Sequence, residues 1–343
     1  MRRHGSPSIV SASCALALAG ANLIGGQARG ATPPPASTPS DACASTHGKL
    51  KGELESSCRE LAFGGRQRTY RLYVPKQVKS PSAVVFVIHG GSGTSSGMET
   101  LTRQGFNRIA DREGMLVIYP DGVDRQWNDG RPLSTTSARD NIDDVGYLRA
   151  LLEDTAREHA IDRTRVYATG ISNGGFMSMR LACEAADTFA GVVAVVATLS
   201  DALGPRCAPS RPVSVGVIDG TEDPLVPWAG GEIKVLGMSR GLVWSAQKTF
   251  DRWMELNGCT KANDGPRIDA DPKDETALVV HAASACRDNV GVRLYEIQGG
   301  GHTWPKGVPY LGTWAVGRVS EELDATEEIW KFFRSSIRTP SPP

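Results

Sequence analysis

The chain has 343 residues, enough for one large catalytic domain, and its 38 basic residues balance 38 acidic ones. That balance, with no long charged run, argues against a nucleic-acid partner and leaves a small or oligomeric, weakly charged ligand as the expected one. Neither an HExxH motif nor a histidine cluster is present, so no metal and no cofactor are expected.

At the N-terminus, Arg2 and Arg3 precede an apolar stretch that ends in small residues around Gly26 and Ala28, the pattern of a secretory signal over residues 1–28. Ser, Gly and Asn22 interrupt that run and leave it too short to span a bilayer comfortably, so cleavage is expected rather than stable membrane insertion. Residues 29–42 are rich in Pro, Ala, Ser and Thr, cannot bury enough surface to order themselves, and predict a flexible leader. A catalytic domain over residues 43–338 and a disordered tail over 339–343 complete the expected organisation, in a protein that is secreted or periplasmic. Six cysteines follow the signal: Cys43, Cys58, Cys183, Cys207, Cys259 and Cys286. None forms a CxxC pair, and an even number in an exported chain predicts disulfides. Pairing of sequence neighbours would make each bridge clip a single loop.

From about residue 67 short apolar runs alternate with amphipathic stretches, which predicts an α/β fold with a mostly parallel sheet covered by helices on both faces. Strands are expected at 69–74, 83–88, 115–119, 165–169, 192–197, 213–218 and 292–297. Runs such as AVVFVI and GVVAVVA are apolar throughout, as strands buried on both faces should be. Helices are expected at 98–113, 144–159, 175–185, 245–257 and 323–335. No internal repeat is visible.

The pattern G-x-S-x-G occurs three times, centred on Ser95, Ser172 and Ser239. A nucleophilic serine of this type needs a sharp strand-to-helix turn flanked by small residues. Ser172 alone has it, with RVYATG leading in and FMSMRLACEA leading out. Ser95 reads as part of a loop and Ser239 as part of a polar segment without a strand. A serine hydroxyl needs a base and the base an orienting acid, which on this fold follow in the order acid, then histidine. His302 follows an apolar strand and three glycines, a loop able to lift an imidazole over the sheet, whereas His281 sits inside the strand-like VVHAAS. For the acid, VSVGVIDGTEDP offers Asp219, Glu222 and Asp223; Asp223, before Pro224, is preferred, with Asp219 as a turn residue the open alternative. Oxyanion donors are expected from the N–H of Asn173 and from the HGG loop after the strand at 83–88, at Gly91. His89 reads as a structural residue of that loop.

The motifs IHGGSG, YPDG followed by WN, DDVGYL, RVYATGISNGGFMSMRLAC, DGTEDPLVPW and GGGHTWP together resemble the secreted polyhydroxybutyrate depolymerase-like and feruloyl esterase family of α/β hydrolases. The resemblance covers roughly residues 67–333 and implies the α/β-hydrolase fold with Ser172, Asp223 and His302 as its triad. One departure is visible: the family's acid loop usually reads HGTxDP, and Asp219 stands in its first position here. The resemblance implies a serine carboxylic ester hydrolase acting through an acyl-enzyme on feruloyl-type or polysaccharide-linked esters, or on hydroxybutyrate oligomers or polyhydroxybutyrate. Trp127, Trp228 and Trp304 fall beside the catalytic segments and are expected to wall an acyl site. The alternative from another class is a catalytically inactive glycan- or polyester-binding protein. A peptidase of the same fold would use the same triad but carries a propeller or cap for which the chain has no apparent room.

Overall fold

The computed structural model describes residues 56–338, which fall in one compact unit. The expected signal, leader and tail, with Cys43, lie outside the described residues. The strands are β1 (Ser57–Phe63), β2 (Arg66–Tyr73), β3 (Ser82–Ile88), β4 (Leu116–Pro120), β5 (Ile161–Ile171), β6 (Gly191–Val195), β7 (Ser214–Gly220), β8 (Gly231–Val235), β9 (Met238–Val243), β10 (Lys261–Asp264), β11 (Ala277–Ser284) and β12 (Val292–Gln298). Ten of them form one sheet in the order β1-β2-β4-β3-β5-β6-β7-β12-β11-β10, and β8 pairs with β9 as a separate hairpin. The six strands from β4 to β12 in that order run parallel, and antiparallel strands close both edges.

The helices are α1 (Ser95–Leu101), α2 (Gly105–Glu113), α3 (Thr136–Arg139), α4 (Asp144–Ala156), α5 (Asn173–Glu184), α6 (Ala246–Asn257), α7 (Thr313–Val316) and α8 (Ala325–Arg334). Side chains of a strand alternate between faces, so β3 sends Val84, Phe86 and Ile88 to one core and Val85 and Val87 to the other. The first core is closed by α4, α5 and α6 through Leu148, Phe176 and Trp253, the second by α2 and α8 through Phe106 and Trp330. Strands apolar in every position are thereby buried on both faces.

Three expectations need correction. The single helix expected at 98–113 is two, because Arg103 and Gln104 adopt left-handed backbone at φ 53° and 55° and Thr102 turns its hydroxyl onto the carbonyls of Met98 and Glu99. Ser239 lies in β9 rather than outside any strand, and Ser95 opens α1, buried, with its N–H and hydroxyl both donated to the Asp121 carboxylate. The outer strands β1 and β10 were not expected, since edge strands facing water carry polar residues that dilute the apolar signal.

After β3 the chain crosses to β4 on one side of it, then returns to β5 on the other. That reversal opens a crevice at the carboxyl ends of β3 and β5, where ligands of open α/β sheets bind.

Candidate active site

Ser172 stands at the end of β5, directly before α5, with φ 55° and ψ −119°. A left-handed φ on a residue with a Cβ costs about 1–3 kcal/mol and persists only where the surroundings enforce it. They do so by crowding: a Cβ on Gly174 would come within 2.3 Å of the Ile88 carbonyl oxygen, and one on Gly170 within 2.6 Å of the same atom. The two flanking glycines therefore let β5 and α5 close against the end of β3. The Ser172 N–H donates to the Val195 carbonyl at 2.9 Å, tying the turn to β6.

Asp223 and His302 come from the loops after β7 and β12, and His302 Nδ1 lies 2.7 Å from Asp223 Oδ2, with both residues buried. The other carboxylate oxygen of Asp223 accepts the N–H groups of Leu225 and Val226 at 2.7 and 2.9 Å, which fixes it as an acceptor. The two loops are stitched together: Glu222 N–H donates to the Gly300 carbonyl, and Gly299 N–H to the Thr221 hydroxyl. A Cβ on Gly301 would stand 2.2 Å from the Val316 carbonyl oxygen, so the glycines before His302 are required by packing, not by mobility. Ser172 and His302 border the same cavity of about 580 Å³. Among the described residues no hydrogen bond joins Ser172 Oγ to the ring, a looseness common before substrate enters.

Asp219, the alternative acid, is fully buried and neither carboxylate oxygen has a partner among the described residues. Burial, reinforced by the charge of Asp223, pushes its pKa well above the usual carboxylate range. It makes no bond to His302. The other candidate histidine, His281, lies on β11 between Asp264 at 2.7 Å and Glu296 at 3.0 Å, away from the cavity.

On the oxyanion side, the N–H of Gly91 and of Asn173, first residue of α5, donate to no protein acceptor among the described residues, and both residues line the cavity. His89 shapes the loop that carries Gly91. Its Nε2 accepts the Gly122 N–H at 3.0 Å, so Nδ1 must hold the proton that is donated to the Gly90 carbonyl at 2.7 Å. Burial lowers the pKa of this ring and keeps it neutral. The Asn173 side chain is fixed as well, accepting from Trp127 N–H and donating to Asp129, which also holds the buried Arg131 guanidinium at 2.6 Å.

The tryptophan wall is not found. Trp127 and Trp304 are essentially inaccessible, at 0% and 1% exposure. Trp127 donates its indole N–H to the His89 carbonyl, and Trp304 packs edge-on to Phe106 and donates to Thr326. Trp228 is half-buried against the core and does not line the cavity. Trp127 and Trp304 thus pack beneath their loops. The apolar lining instead comes from Leu133, Phe176, Leu225 and, on the β8–β9 hairpin, Ile233 and Val235. Nothing in the sequence pattern placed that hairpin over Ser172, because a two-stranded excursion has no partner run to mark it.

Two disulfides pair sequence neighbours, Cys183 with Cys207 and Cys259 with Cys286. Cys58 is also disulfide-bonded; its expected partner, Cys43, is outside the described residues.

Among known proteins, the profile of the prolyl oligopeptidase family matches residues 136–208, the segment that holds Ser172 and its flanking strand and helix. The chain is 30% identical to the protein named "Putative esterase NocK" of Nocardia uniformis over 82% of this chain and 83% of that one. It is 30% identical to feruloyl esterase B of Piromyces equi over 57% of its length, and spans 35% of that protein. To the poly(3-hydroxybutyrate) depolymerase of Ralstonia pickettii it is 32% identical over 38% of its length, spanning 28% of that enzyme. The fold matches that of the acetyl xylan esterase from Aspergillus awamori with a TM-score of 0.50 over 81% of this chain and 99% of that one, at 16% identity. With 83% of NocK spanned at 30% identity and the sheet, crevice and serine turn in place, the chain belongs to the polyhydroxybutyrate depolymerase-like and feruloyl esterase family of α/β-hydrolase ester hydrolases.

Proposed function

We propose that the protein is an exported serine esterase in which Ser172 is the nucleophile, His302 its base and Asp223 the acid that orients the base. The observation that carries this reading is the strained Ser172 turn bordering one cavity with a buried, hydrogen-bonded His302–Asp223 pair. Ser172 Oγ attacks the ester carbonyl carbon as His302 Nε2 takes its proton, while Asp223 accepts the Nδ1–H and stabilises the imidazolium. The N–H groups of Gly91 and Asn173 receive the oxyanion. Collapse breaks the bond to the alcohol oxygen, which leaves with the proton from His302, and water then repeats the sequence to release the acid from the acyl-enzyme.

The aliphatic and aromatic lining around Ser172 favours a neutral ester with an apolar acyl group, which ranks feruloyl-type esters above hydroxybutyrate oligomers. Export is supported by the N-terminal pattern and by the disulfides. Ser172→Ala should lower kcat on an aryl ester by about six orders of magnitude with the circular dichroism spectrum unchanged. Activity that survives in Ser172→Ala and disappears in Ser95→Ala or Ser239→Ala would refute the assignment.

A further inference from the structure

The two N–H groups assigned to the oxyanion come from segments far apart in the chain, since Gly91 follows β3 and Asn173 opens α5. One segment, the loop of residues 121–131 between β4 and α3, bonds to the surroundings of both. On the Gly91 side, the Ser92 N–H donates to the Arg125 carbonyl at 2.8 Å, the Trp127 indole to the His89 carbonyl at 2.9 Å, and the Gly122 N–H to the His89 ring at 3.0 Å. On the other side the loop engages every polar atom of the Asn173 carboxamide. Its oxygen accepts the Trp127 N–H at 2.8 Å, and its nitrogen donates to the Trp127 carbonyl at 3.2 Å and to Asp129 at 2.6 Å. The side chain is thereby turned into the loop, and the backbone N–H is what Asn173 offers the cavity. The loop in turn is locked by a buried ion pair: Asp129 and Arg131 are 1% and 6% exposed. The guanidinium grips the carboxylate through Nε at 3.1 Å and Nη2 at 2.6 Å, and the Arg131 backbone N–H adds a bond at 3.0 Å. Its Nη1 donates to the Arg240 carbonyl of β9 at 2.9 Å, and the guanidinium lies 3.9 Å from the centre of the Phe176 ring.

We propose that Asp129 and Arg131 are positioning residues of the hydrolysis. Acting through the Asn173 side chain and the Trp127 backbone, they set the separation between the Gly91 and Asn173 N–H groups, and with it the fit of the site to the oxyanion. The inference rests on Ser172 being the nucleophile. A buried ion pair adds little to stability once the desolvation of both charges is counted, so the consequence of this one is geometric. A planar guanidinium fork admits few arrangements of the carboxylate it holds, and the arrangement seen here aims Asp129 Oδ2 at Asn173. Donors fixed in advance matter most as charge develops on the carbonyl oxygen, and a displacement of about 1 Å can cost about a hundredfold in rate. The bond to β9 adds a second link: the hairpin that lines the cavity with Ile233 and Val235 shares an anchor with the donor that meets the oxyanion.

The test uses Asp129→Asn, which keeps the shape and removes the charge, and Arg131→Lys, which keeps the charge and loses the fork. The probe is trifluoromethyl phenyl ketone. Ser172 Oγ adds to its carbonyl carbon, the carbonyl oxygen becomes the oxyanion and the serine proton passes to His302; the adduct is read by fluorine NMR, which needs no turnover. Acetophenone, of nearly the same shape but too weakly electrophilic to form the adduct, is the comparison, its affinity read by competition. Asp129→Asn should weaken the trifluoromethyl ketone about thirty- to hundredfold and Arg131→Lys about tenfold, while acetophenone changes by less than about threefold in both. The kcat/KM for phenyl acetate should fall by the same factors as the affinity for the trifluoromethyl ketone. Side chains that only support the fold would move both ketones together or neither, and either result overturns the proposal. If Asp129→Asn shows no cooperative thermal transition, Arg131→Lys, whose buried charges still balance, decides by the same criterion. A wild-type protein that forms no adduct overturns the nucleophile assignment and the proposal with it, whereas a wild-type adduct that both variants leave intact overturns the positioning role alone.

Discussion

Asp219 and Asp223 leave the same strand end, yet their surroundings differ. Asp223 accepts two backbone N–H groups and faces the His302 ring. Asp219 has burial without partners, which favours the neutral acid. Replacing Asp223 by Asn should cost about three to four orders of magnitude in kcat through loss of ring orientation and charge. Asp219→Asn should cost much less, and its clearer effect is on stability. A carboxyl whose folded pKa is raised contributes stability below its unfolded value of about 3.9 and loses it as pH rises towards the folded value. The wild-type Tm should therefore fall between pH 5 and 8 more steeply than that of Asp219→Asn, as measured by scanning calorimetry. A kcat loss larger in Asp219→Asn than in Asp223→Asn would mean that the acid is misassigned. The motif order pointed to Asp223, but local sequence left Asp219 open, because the burial that separates them comes from strands distant in the chain.

Among the elements, those legible beforehand were the ones buried on both faces. β3, β4, β6 and β7 carry uninterrupted apolar runs, and their observed bounds lie within a residue or two of those expected. The hairpin β8–β9 and the edge strand β10 were not legible, since their side chains alternate or face water and nothing local distinguishes them from polar loops. The edge formed by β10, β11 and β12 has a polar clasp in place of an apolar one. His281 on β11 bonds Asp264 on β10 and Glu296 on β12, with the Phe250 ring of α6 packed 6.5 Å away. Burial alone would lower the pKa of this imidazole, but the two carboxylates outweigh it and raise the pKa above its ordinary value. A histidine shifted upward stabilises fully below its unfolded pKa of about 6.5, and the contribution disappears as pH rises through the folded value. Thermal unfolding followed from pH 6 to 9 should accordingly show a decline in wild-type Tm that His281→Gln lacks. Parallel declines in the two proteins would remove the clasp from the account.

At the scale of the molecule, the crevice at the carboxyl ends of β3 and β5 receives its walls from segments far apart in sequence, which is why the motifs of the proposed site were readable and the lining of its cavity was not. Ser172, His302 and the HGG loop sit in compact motifs whose spacing reflects local turns, whereas the apolar lining of the cavity is assembled from Leu133, Phe176, Leu225 and the β8–β9 hairpin. Tryptophans beside the motifs looked like that lining and are absent from it, Trp127 and Trp304 being buried. Trp304→Ala would empty a buried site against Phe106 and unseat the loop of His302, so it should cost about 3–5 kcal/mol of stability and reduce kcat/KM for acetate and feruloyl-type esters by similar factors. Ile233→Trp acts on the wall itself. It enlarges a hairpin side chain that borders the cavity without touching the His302–Asp223 pair, so the space for a large acyl group shrinks while that for acetate remains. The expected result is a fall in kcat/KM for the feruloyl-type ester relative to acetate by about ten- to two-hundredfold, or 1–3 kcal/mol of discrimination. Steady-state kinetics on the two esters with both variants separates these roles. Equal losses in Ile233→Trp, or a selective feruloyl loss in Trp304→Ala, would return the acyl site to the tryptophans and take the hairpin out of it.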